Sequence, residues 1–143
     1  MEKSLDLIKD MFSLGDVDVR THTPLALAFI GDCIFDLIIR SVIVSKYHKG
    51  VNDLHKKCVK IVKAQSQAII MDALIEDLTE EEMSFYKRGR NAKSNTSAKN
   101  ASIVAYRKAT GLEALMGYLY LSNQIERAIE LVKIGLERTE INI

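Results

Sequence analysis

Apolar residues recur three and four positions apart along almost the whole chain, and no segment alternates cleanly between apolar and polar residues. The first spacing is that of one face of an α-helix, whereas strict alternation is typical of a half-buried strand. The chain also contains a single proline, Pro24, so few positions are barred from a helix interior. We therefore predict an all-α fold.

Local capping signals divide this pattern into helices. Thr23 before Pro24 has the form of an N-cap followed by proline at the first helical position. Thr79 and Glu82 have the spacing of a capping box. The polar segment that follows the helix opened by Thr79 is predicted to be a loop. The predicted helices cover about 5–12, 24–46, 52–75 with a division near 64, 80–91, 101–121 with an interruption at Gly111, and 124–138.

The size and composition of the chain favour a single domain. It has 143 residues, 48% hydrophobic and 27% charged, which are globular proportions. Asp32, Asp36 and Arg40 interrupt its most apolar stretch, and each would cost about 2.5 to 3.5 kcal/mol at a bilayer centre. The amino terminus lacks the apolar run of a signal peptide, and the two cysteines form no C-x-x-C pair. We expect one cytoplasmic domain over 1–143, with no membrane span.

The net charge of +1 hides an uneven distribution. Between Met83 and Leu112 there is no acidic residue but there are seven lysines and arginines, unlike the mixed signs of an ordinary surface. Such a segment is suited to binding a phosphate-rich ligand. A second basic stretch at 46–63 is better explained as a solvated helix face, because charged helix faces are common. The predicted phosphate contacts are Lys87, Arg88, Arg90, Asn91, Lys93, Ser94, Lys99, Arg107 and Lys108.

At two places in the predicted helices a glycine lies close in sequence to an acidic residue. Asp32 has no cation one turn away in its apolar helix, and a buried carboxylate is costly unless it is paired or bound to metal. Gly31 beside it costs about 1 kcal/mol in a helix interior but allows another helix to approach. Gly117, one turn after Glu113, could be the matching position. If the helices cross there, Asp32 and Glu113 converge and could hold Mg²⁺ through oxygen ligands and several waters.

Simpler explanations exist for two of the acids. Asp36 has Arg40 four residues later, which is the spacing of an ordinary helical ion pair. Glu113 follows Thr110 by three residues and could be part of a capping box.

The segments around these acids resemble motifs of the ribonuclease III family. Residues 27–37, LAFIGDCIFDL, resemble its signature helix, and residues 113–121, EALMGYLYL, resemble its second acidic motif. Residues 87–94, KRGRNAKS, and 106–111, YRKATG, are similar to hallmarks of its short subfamily, Mini-ribonuclease III. The likeness covers roughly 19–134.

This resemblance implies an all-α ribonuclease III-like endonuclease domain with no separate double-stranded-RNA-binding domain. It implies a homodimer that cleaves double-stranded RNA with Mg²⁺, for which Mn²⁺ could substitute, and leaves a 5′-phosphate. In the short subfamily the implied substrate is the precursor of large-subunit (23S) ribosomal RNA, and a ribosomal protein could act as a helper. Asp32 and Glu113 match the family's catalytic metal ligands, and Asp36 and Thr110 are expected near the site.

The implied dimer has some support in the residues themselves. Phe29 and Phe35 lie on the central predicted helix. An apolar surface around them would suit a helix-to-helix interface between two copies of the chain.

The chain also departs from full-length ribonuclease III. Leu25 and Ala28 occupy positions where that family has further acids, and Thr110 occupies the position of an aspartate in its second motif. Fewer carboxylates should leave more water in the Mg²⁺ shell and weaken its binding. The missing acids therefore leave open a non-cleaving scaffold that binds structured RNA. An all-α phosphohydrolase acting on nucleotides is a third and weaker alternative, since it would use the same carboxylates and metal but would not need so long a basic segment.

Overall fold

The computed structural model describes residues 2–93 and 102–143, and over these residues the chain is helical and contains no strand. The all-α prediction is confirmed. Short 3₁₀ turns lie at Val19–Thr21 and Ile75–Asp77. The helices are α1 (Glu2–Met11), α2 (Pro24–Lys46), α3 (Val51–Val62), α4 (Ala64–Leu74), α5 (Glu80–Asn91), α6 (Ile103–Leu121) and α7 (Ile125–Thr139).

Helices α2 and α6 form the centre of the domain and pack along each other, with α4 and α5 also packed on α6, α3 on α2 and α7 on α4. The sequence explains why α6 takes this place, since its residues between Ala109 and Tyr120 are nearly all apolar or small. Every residue in that range is buried except Glu113, which is partly exposed. Helix α6 therefore presents one carboxylate, that of Glu113, at its surface.

Helices α2 and α6 come into backbone contact at two glycines. A Cβ on Gly31 would overlap the carbonyl oxygen of Glu113 and lie 2.7 Å from the amide nitrogen of Gly117. A Cβ on Gly117 would overlap the carbonyl oxygen of Leu27. The predicted crossing is confirmed, and it places Asp32 beside the segment of α6 that carries Glu113.

The predicted interruption at Gly111 is wrong, because α6 runs through it without a break. A Cβ on Gly111 would lie 2.6 Å from the ring of Tyr86, and one on Gly89 would lie 2.6 Å from the Cβ of Ala114. Both glycines therefore let α5 approach α6 closely, and this packing outweighs the low helix propensity of glycine.

The predicted caps are confirmed. Thr23 Oγ1 accepts a hydrogen bond from the amide of Ala26 at 3.1 Å, with Pro24 at the first helical position. The capping box of α5 is complete: the amide of Thr79 donates to Glu82 Oε1 at 2.9 Å, and the amide of Glu82 donates to Thr79 Oγ1 at 3.1 Å.

The predicted division near residue 64 is confirmed at Lys63, whose extended backbone (φ −66°, ψ 153°) separates α3 from α4. Ser66 Oγ donates to the carbonyl oxygen of Lys60 at 2.6 Å across this junction. The break allows α4 to turn away from the direction of α3 and pack against α6 and α7.

Within the part of the chain that the structure describes, no helix is both long enough and apolar enough to cross a membrane.

Candidate active site

The four predicted site residues lie in one cleft at the crossing of α2 and α6. Asp32 and Asp36 line it from α2, and Thr110 and Glu113 line it from α6. Tyr106, one turn before Thr110, adds an aromatic ring to the same lining. Asp32 is exposed and Glu113 is partly exposed, so a ligand entering from solvent can reach both carboxylates.

The two carboxylates interact strongly. Burial raises the pKa of Glu113 to about 9, and a hydrogen bond with Asp32 together with the negative charges of Asp32 and Asp36 acts in the same direction. A hydrogen bond with the Gln67 side chain opposes the rise. In the absence of a cation Glu113 therefore retains its proton near neutral pH, mainly because burial penalises its charged form.

This donor set fits a hard divalent cation. Two carboxylates in an open cleft offer oxygen ligands, and a bound cation would supply the positive charge for which the proton substitutes. Over residues 2–93 and 102–143, no three His, Cys, Asp or Glu side chains lie close enough together to form a ligand set. A cation at Asp32 and Glu113 would complete its shell with water and substrate oxygens, which is the usual arrangement for Mg²⁺.

Asp36 and Thr110 each have a local partner as well as a place in the cleft. Asp36 Oδ2 lies 3.5 Å from Arg40 Nε, so the predicted helical ion pair is confirmed. Thr110 Oγ1 donates to the carbonyl oxygen of Tyr106 at 3.0 Å in the interior of α6. The capping-box explanation for Glu113 is therefore wrong, since no helix begins at Thr110.

Some of the predicted RNA-binding cations also have structural contacts within the fold. Arg88 Nη2 donates to the carbonyl oxygen of His22 at 3.2 Å, and its guanidinium lies over the ring of Phe85. Arg90 lies over the ring of Tyr86. Arg88 therefore links α5 to the segment before α2, whereas the contact of Arg90 with Tyr86 lies within α5.

The remaining predicted RNA contacts differ in exposure. Lys108 Nζ lies 3.0 Å from Asp72 of α4 and is partly exposed. Ser94 and Lys99 lie outside the described residues. The exposed members are Lys87, Asn91, Lys93 and Arg107.

Two residues at the site were missed in the sequence, although a signal existed for each. Tyr106 is spaced four residues before Thr110 and seven before Glu113, and so shares their face of α6. Gln67 is three and four residues before Ile70 and Met71, and so occupies an apolar position of α4. A polar residue in the buried stripe of a helix implies a polar partner on another element.

Comparisons with known proteins agree with this fold. Residues 25–124 match the Ribonuclease III domain family. Mini-ribonuclease 3 of Clostridium tetani is 50% identical over 124 residues, which cover 86% of this chain and 82% of that protein. Mini-ribonuclease 3 of Thermoanaerobacter is 43% identical over 141 residues, covering 98% and 99%. A crystal structure of a protein from Fusobacterium nucleatum matches with a TM-score of 0.77 at 32% identity, covering 85% of this chain and 97% of that one.

The helical fold, the carboxylates at the crossing of α2 and α6 and the matched domain together define an endoribonuclease of the ribonuclease III type. The relatives indicate a particular family within this class, because the similarity covers most of this chain and most of each relative. The chain belongs to the Mini-ribonuclease 3 family.

Proposed function

We propose that this protein cleaves double-stranded RNA at the cleft between α2 and α6, in a reaction that requires Mg²⁺ and leaves a 5′-phosphate. The observation that carries this proposal is the meeting of Asp32 and Glu113 in an open cleft, where they are brought together by the contact of Gly31 with α6. Mn²⁺, which also takes carboxylate and water ligands, is expected to substitute.

Asp32 and Glu113 would hold the metal and are the proposed catalytic residues. When bound between such carboxylates, Mg²⁺ lowers the pKa of a coordinated water and stabilises negative charge on an attacked phosphate. Asp36 contributes a further negative charge to the cleft while paired with Arg40. The hydroxyl of Thr110 and the ring of Tyr106 form part of the opposite wall.

The basic residues of α5 and α6 would bind the phosphates of the RNA backbone. A-form RNA is recognised through its shape, phosphates and 2′-hydroxyl groups rather than its sequence, and exposed cations suit such contacts. Lys87, Lys93 and Arg107 are the exposed cations of this set. Ser94 and Lys99 remain proposed contacts on the strength of the sequence alone.

We further propose that the protein acts as a homodimer formed across the exposed face of α2. Phe29 is 84% exposed beside the cleft. Leu25 lies four residues before it, Cys33 and Leu37 lie four and eight residues after it, and all three are exposed as well. Phe35, in contrast, is completely buried in the core, so the apolar surface expected around both phenylalanines is centred on Phe29. Two copies of an apolar stripe on one helix can cover each other about a twofold axis.

Family membership favours precursor 23S ribosomal RNA as the substrate. A ribosomal protein is a proposed helper in its cleavage. An assay on a plain RNA duplex tests the proposed cleavage activity without depending on the identity of the natural substrate.

The test of the activity is incubation of a perfect RNA duplex with the protein in Mg²⁺ or in EDTA. We expect cleavage by the wild type only in Mg²⁺, and a loss of at least about 100-fold in Asp32→Asn and Glu113→Gln, because each removes a ligand of the metal that stabilises the transition state. Glu126→Gln on the exposed face of α7 removes the same charge far from the cleft and should cleave normally. Unchanged cleavage by Asp32→Asn or Glu113→Gln would refute the proposal.

The restricted ligand set in the described residues also keeps a second function in view, that of a scaffold which binds structured RNA without cutting it. Binding that persists in EDTA, with no product in Mg²⁺, Mn²⁺ or other divalent ions, would favour the scaffold over the nuclease.

A further inference from the structure

The cleft at the crossing of α2 and α6 is strongly acidic. Its lining includes the carboxylates of Asp32, Asp36 and Glu113, and none of the described residues that line it is a lysine or an arginine. An RNA strand brings further negative charge to such a cleft. A divalent cation offsets only two of the three carboxylate charges once all of them are ionised. A further cation close to the cleft would therefore favour binding of the substrate.

Arg40 lies next to this lining. Its Nε is 3.5 Å from Asp36 Oδ2, and Asp36 lines the cleft. Asp32, Asp36 and Arg40 follow one another at four-residue spacing and so share one face of α2. The α-carbon of Arg40 therefore lies about 12 Å beyond that of Asp32 along the helix. This places the guanidinium at the edge of the proposed site rather than at the metal.

A ligand can reach the side chain of Arg40 from solvent. The side chain is 60% exposed, whereas that of Asp36 is 34% exposed. Arg40 also lines a second concavity of about 380 Å³, which is formed with residues of α3. Arg40 therefore stands between the acidic cleft and a second open space on the same side of α2.

The fold alone gives little reason for an arginine at this position. An exposed ion pair one helical turn apart contributes little to stability. The closest approach to Asp36 is made by Nε, and an arginine carries five N–H donors in all. A guanidinium binds phosphate oxygens through pairs of these donors. Arg40 can therefore remain beside Asp36 and donate to a phosphate at the same time.

The position of Arg40 also suits the spacing of an RNA strand. Phosphates follow one another every few ångströms along a strand. A strand whose scissile phosphate lies at Asp32 and Glu113, and which runs along α2, brings a neighbouring phosphate within reach of the long side chain of Arg40.

We propose that Arg40 binds an RNA phosphate close to the scissile one, and that Asp36 holds its guanidinium at the edge of the cleft for this contact. The inference rests on the proposed function of Asp32 and Glu113. Asp36 is then a positioning residue that acts through Arg40, and not a ligand of the metal. The pair also balances charge, since one arginine and one divalent cation together offset the three carboxylates.

The first test is binding of an RNA duplex to the whole protein in EDTA, where no cleavage is expected, measured by fluorescence anisotropy over a range of salt concentrations. Arg40→Gln should weaken binding by about 10-fold and reduce the slope of log affinity against log salt by about 1. Arg40→Lys should keep the slope but regain only part of the affinity, because an ammonium is a point charge without the planar pair of donors. Unchanged affinity and slope in Arg40→Gln would overturn the proposal.

Arg20→Gln is the matched control. Arg20 is also an exposed arginine beside an aspartate, with its Nε 3.3 Å from Asp18 Oδ1, but it lies in the 3₁₀ turn before α2 and does not line the cleft. We expect Arg20→Gln to bind the duplex with the affinity and the salt slope of the wild type. An equal loss in Arg20→Gln and Arg40→Gln would mean that only net charge matters, and would refute a specific contact of Arg40.

Mn²⁺ binding without RNA, measured by calorimetry, separates the proposed contact from damage to the site. Arg40→Gln should bind Mn²⁺ at least as tightly as the wild type, because it removes a positive charge near the carboxylates. A fall in Mn²⁺ affinity and in thermal stability that accompanies the loss of RNA binding would mean that Arg40 only supports the fold, and would overturn the proposal.

Asp36→Asn tests the positioning role. We expect kcat/KM for duplex cleavage in Mg²⁺ to fall several-fold in the otherwise wild-type protein, and the same substitution to have no further effect in Arg40→Gln, because Asp36 acts through that guanidinium. Losses that add in the double variant would refute this role. A loss of Mn²⁺ binding as complete as that in Asp32→Asn would make Asp36 a metal ligand instead, and would refute it as well.

Duplexes that each carry one neutral methylphosphonate linkage locate the phosphate. We expect one linkage, within a few nucleotides of the cleaved bond, at which the lost charge weakens binding by the wild type but not by Arg40→Gln. If Arg40→Gln is sensitive at every linkage that the wild type senses, Arg40 binds no phosphate and the proposal is overturned. If such a linkage is found but the wild type does not cleave RNA in Mg²⁺, the nuclease activity is refuted and the contact between Arg40 and RNA is upheld.

Discussion

The Cα of Gly31 lies directly against the backbone of Glu113, so that a single added Cβ would overlap the carbonyl oxygen of Glu113. Asp32 follows Gly31 in α2, and its carboxylate reaches the Glu113 side chain. The same backbone contact that packs the two central helices therefore also assembles the proposed metal site. Stability and activity should be linked at this position.

Gly31→Ala should destabilise the protein by about 3 kcal/mol, because the atoms that a new Cβ would meet belong to the backbone of α6 and cannot rotate away. The two helices would have to separate, so Mn²⁺ affinity should fall as well. Urea unfolding and calorimetry measure the two effects. Gly15→Ala is the control, since a Cβ there meets nothing within 4 Å, and its stability should change by less than about 1 kcal/mol. A normally stable Gly31→Ala would contradict the observed crossing.

The ion pair between Glu82 and Arg127 should make stability depend on acid pH. Burial by itself would raise the pKa of Glu82, but hydrogen bonds from Arg127 and Thr79 outweigh it and hold this pKa below its usual range. A carboxyl group whose pKa is lower when folded contributes stability that is present above its unfolded pKa, about 4.3, and lost as the pH falls through the folded value.

Glu82→Gln should therefore remove part of the fall in stability below about pH 5, as measured by thermal unfolding from pH 7 to pH 3. Arg127→Met should cost about 3 to 5 kcal/mol at pH 7, since it leaves the nearly buried carboxylate without its cation. Lys133→Met, which breaks only an exposed pair with Glu137 at 3.9 Å, should cost less than about 1 kcal/mol. Equal losses of stability in Arg127→Met and Lys133→Met would argue against a structural ion pair at Glu82.

Phe29→Glu should convert the proposed dimer into a monomer without unfolding it. The side chain is 84% exposed in the single chain, so a charge there is tolerated by the monomer but would be buried between two copies at high cost. Sedimentation velocity at micromolar concentration is the measurement. Val51→Glu at the exposed start of α3 should leave the mass unchanged, and a wild-type mass equal to that of one chain would exclude the dimer.

Lys87→Ala should weaken duplex binding uniformly across RNA sequences and reduce the slope of log affinity against log salt by about 1. Binding is best measured on an Asp32→Asn background so that the RNA stays intact. Lys133→Ala on α7 provides an equal loss of charge on another helix. An unchanged salt slope in Lys87→Ala would mean that Lys87 does not contact an RNA phosphate.

Much of the fold follows from local signals in the sequence. Thr23 with Pro24, and Thr79 with Glu82, define helix starts through hydrogen bonds within three residues, and such short-range chemistry can be read without a structure. The crossing of α2 and α6 was also predictable, because Gly31 is a poor choice for a helix interior unless another backbone approaches it.

The features that the sequence alone did not predict depend on distant packing. Gly111 resembles a helix breaker until the ring of Tyr86 is placed against it. Phe29 and Phe35 look equivalent in the sequence, yet one faces solvent and the other is buried, because α2 packs on α6 along one face only. Gln67 is buried because the chain turns at Lys63 and α4 packs against α6 and α7.

The most direct test of the proposed site is a crystal structure of the protein with Mn²⁺, recorded at a wavelength where manganese scatters anomalously. The account predicts an anomalous peak within about 2.0 to 2.3 Å of carboxylate oxygens of both Asp32 and Glu113, and no peak there in a crystal of Asp32→Asn. A peak bound by other residues, or one that persists in Asp32→Asn, would contradict the site proposed for this enzyme.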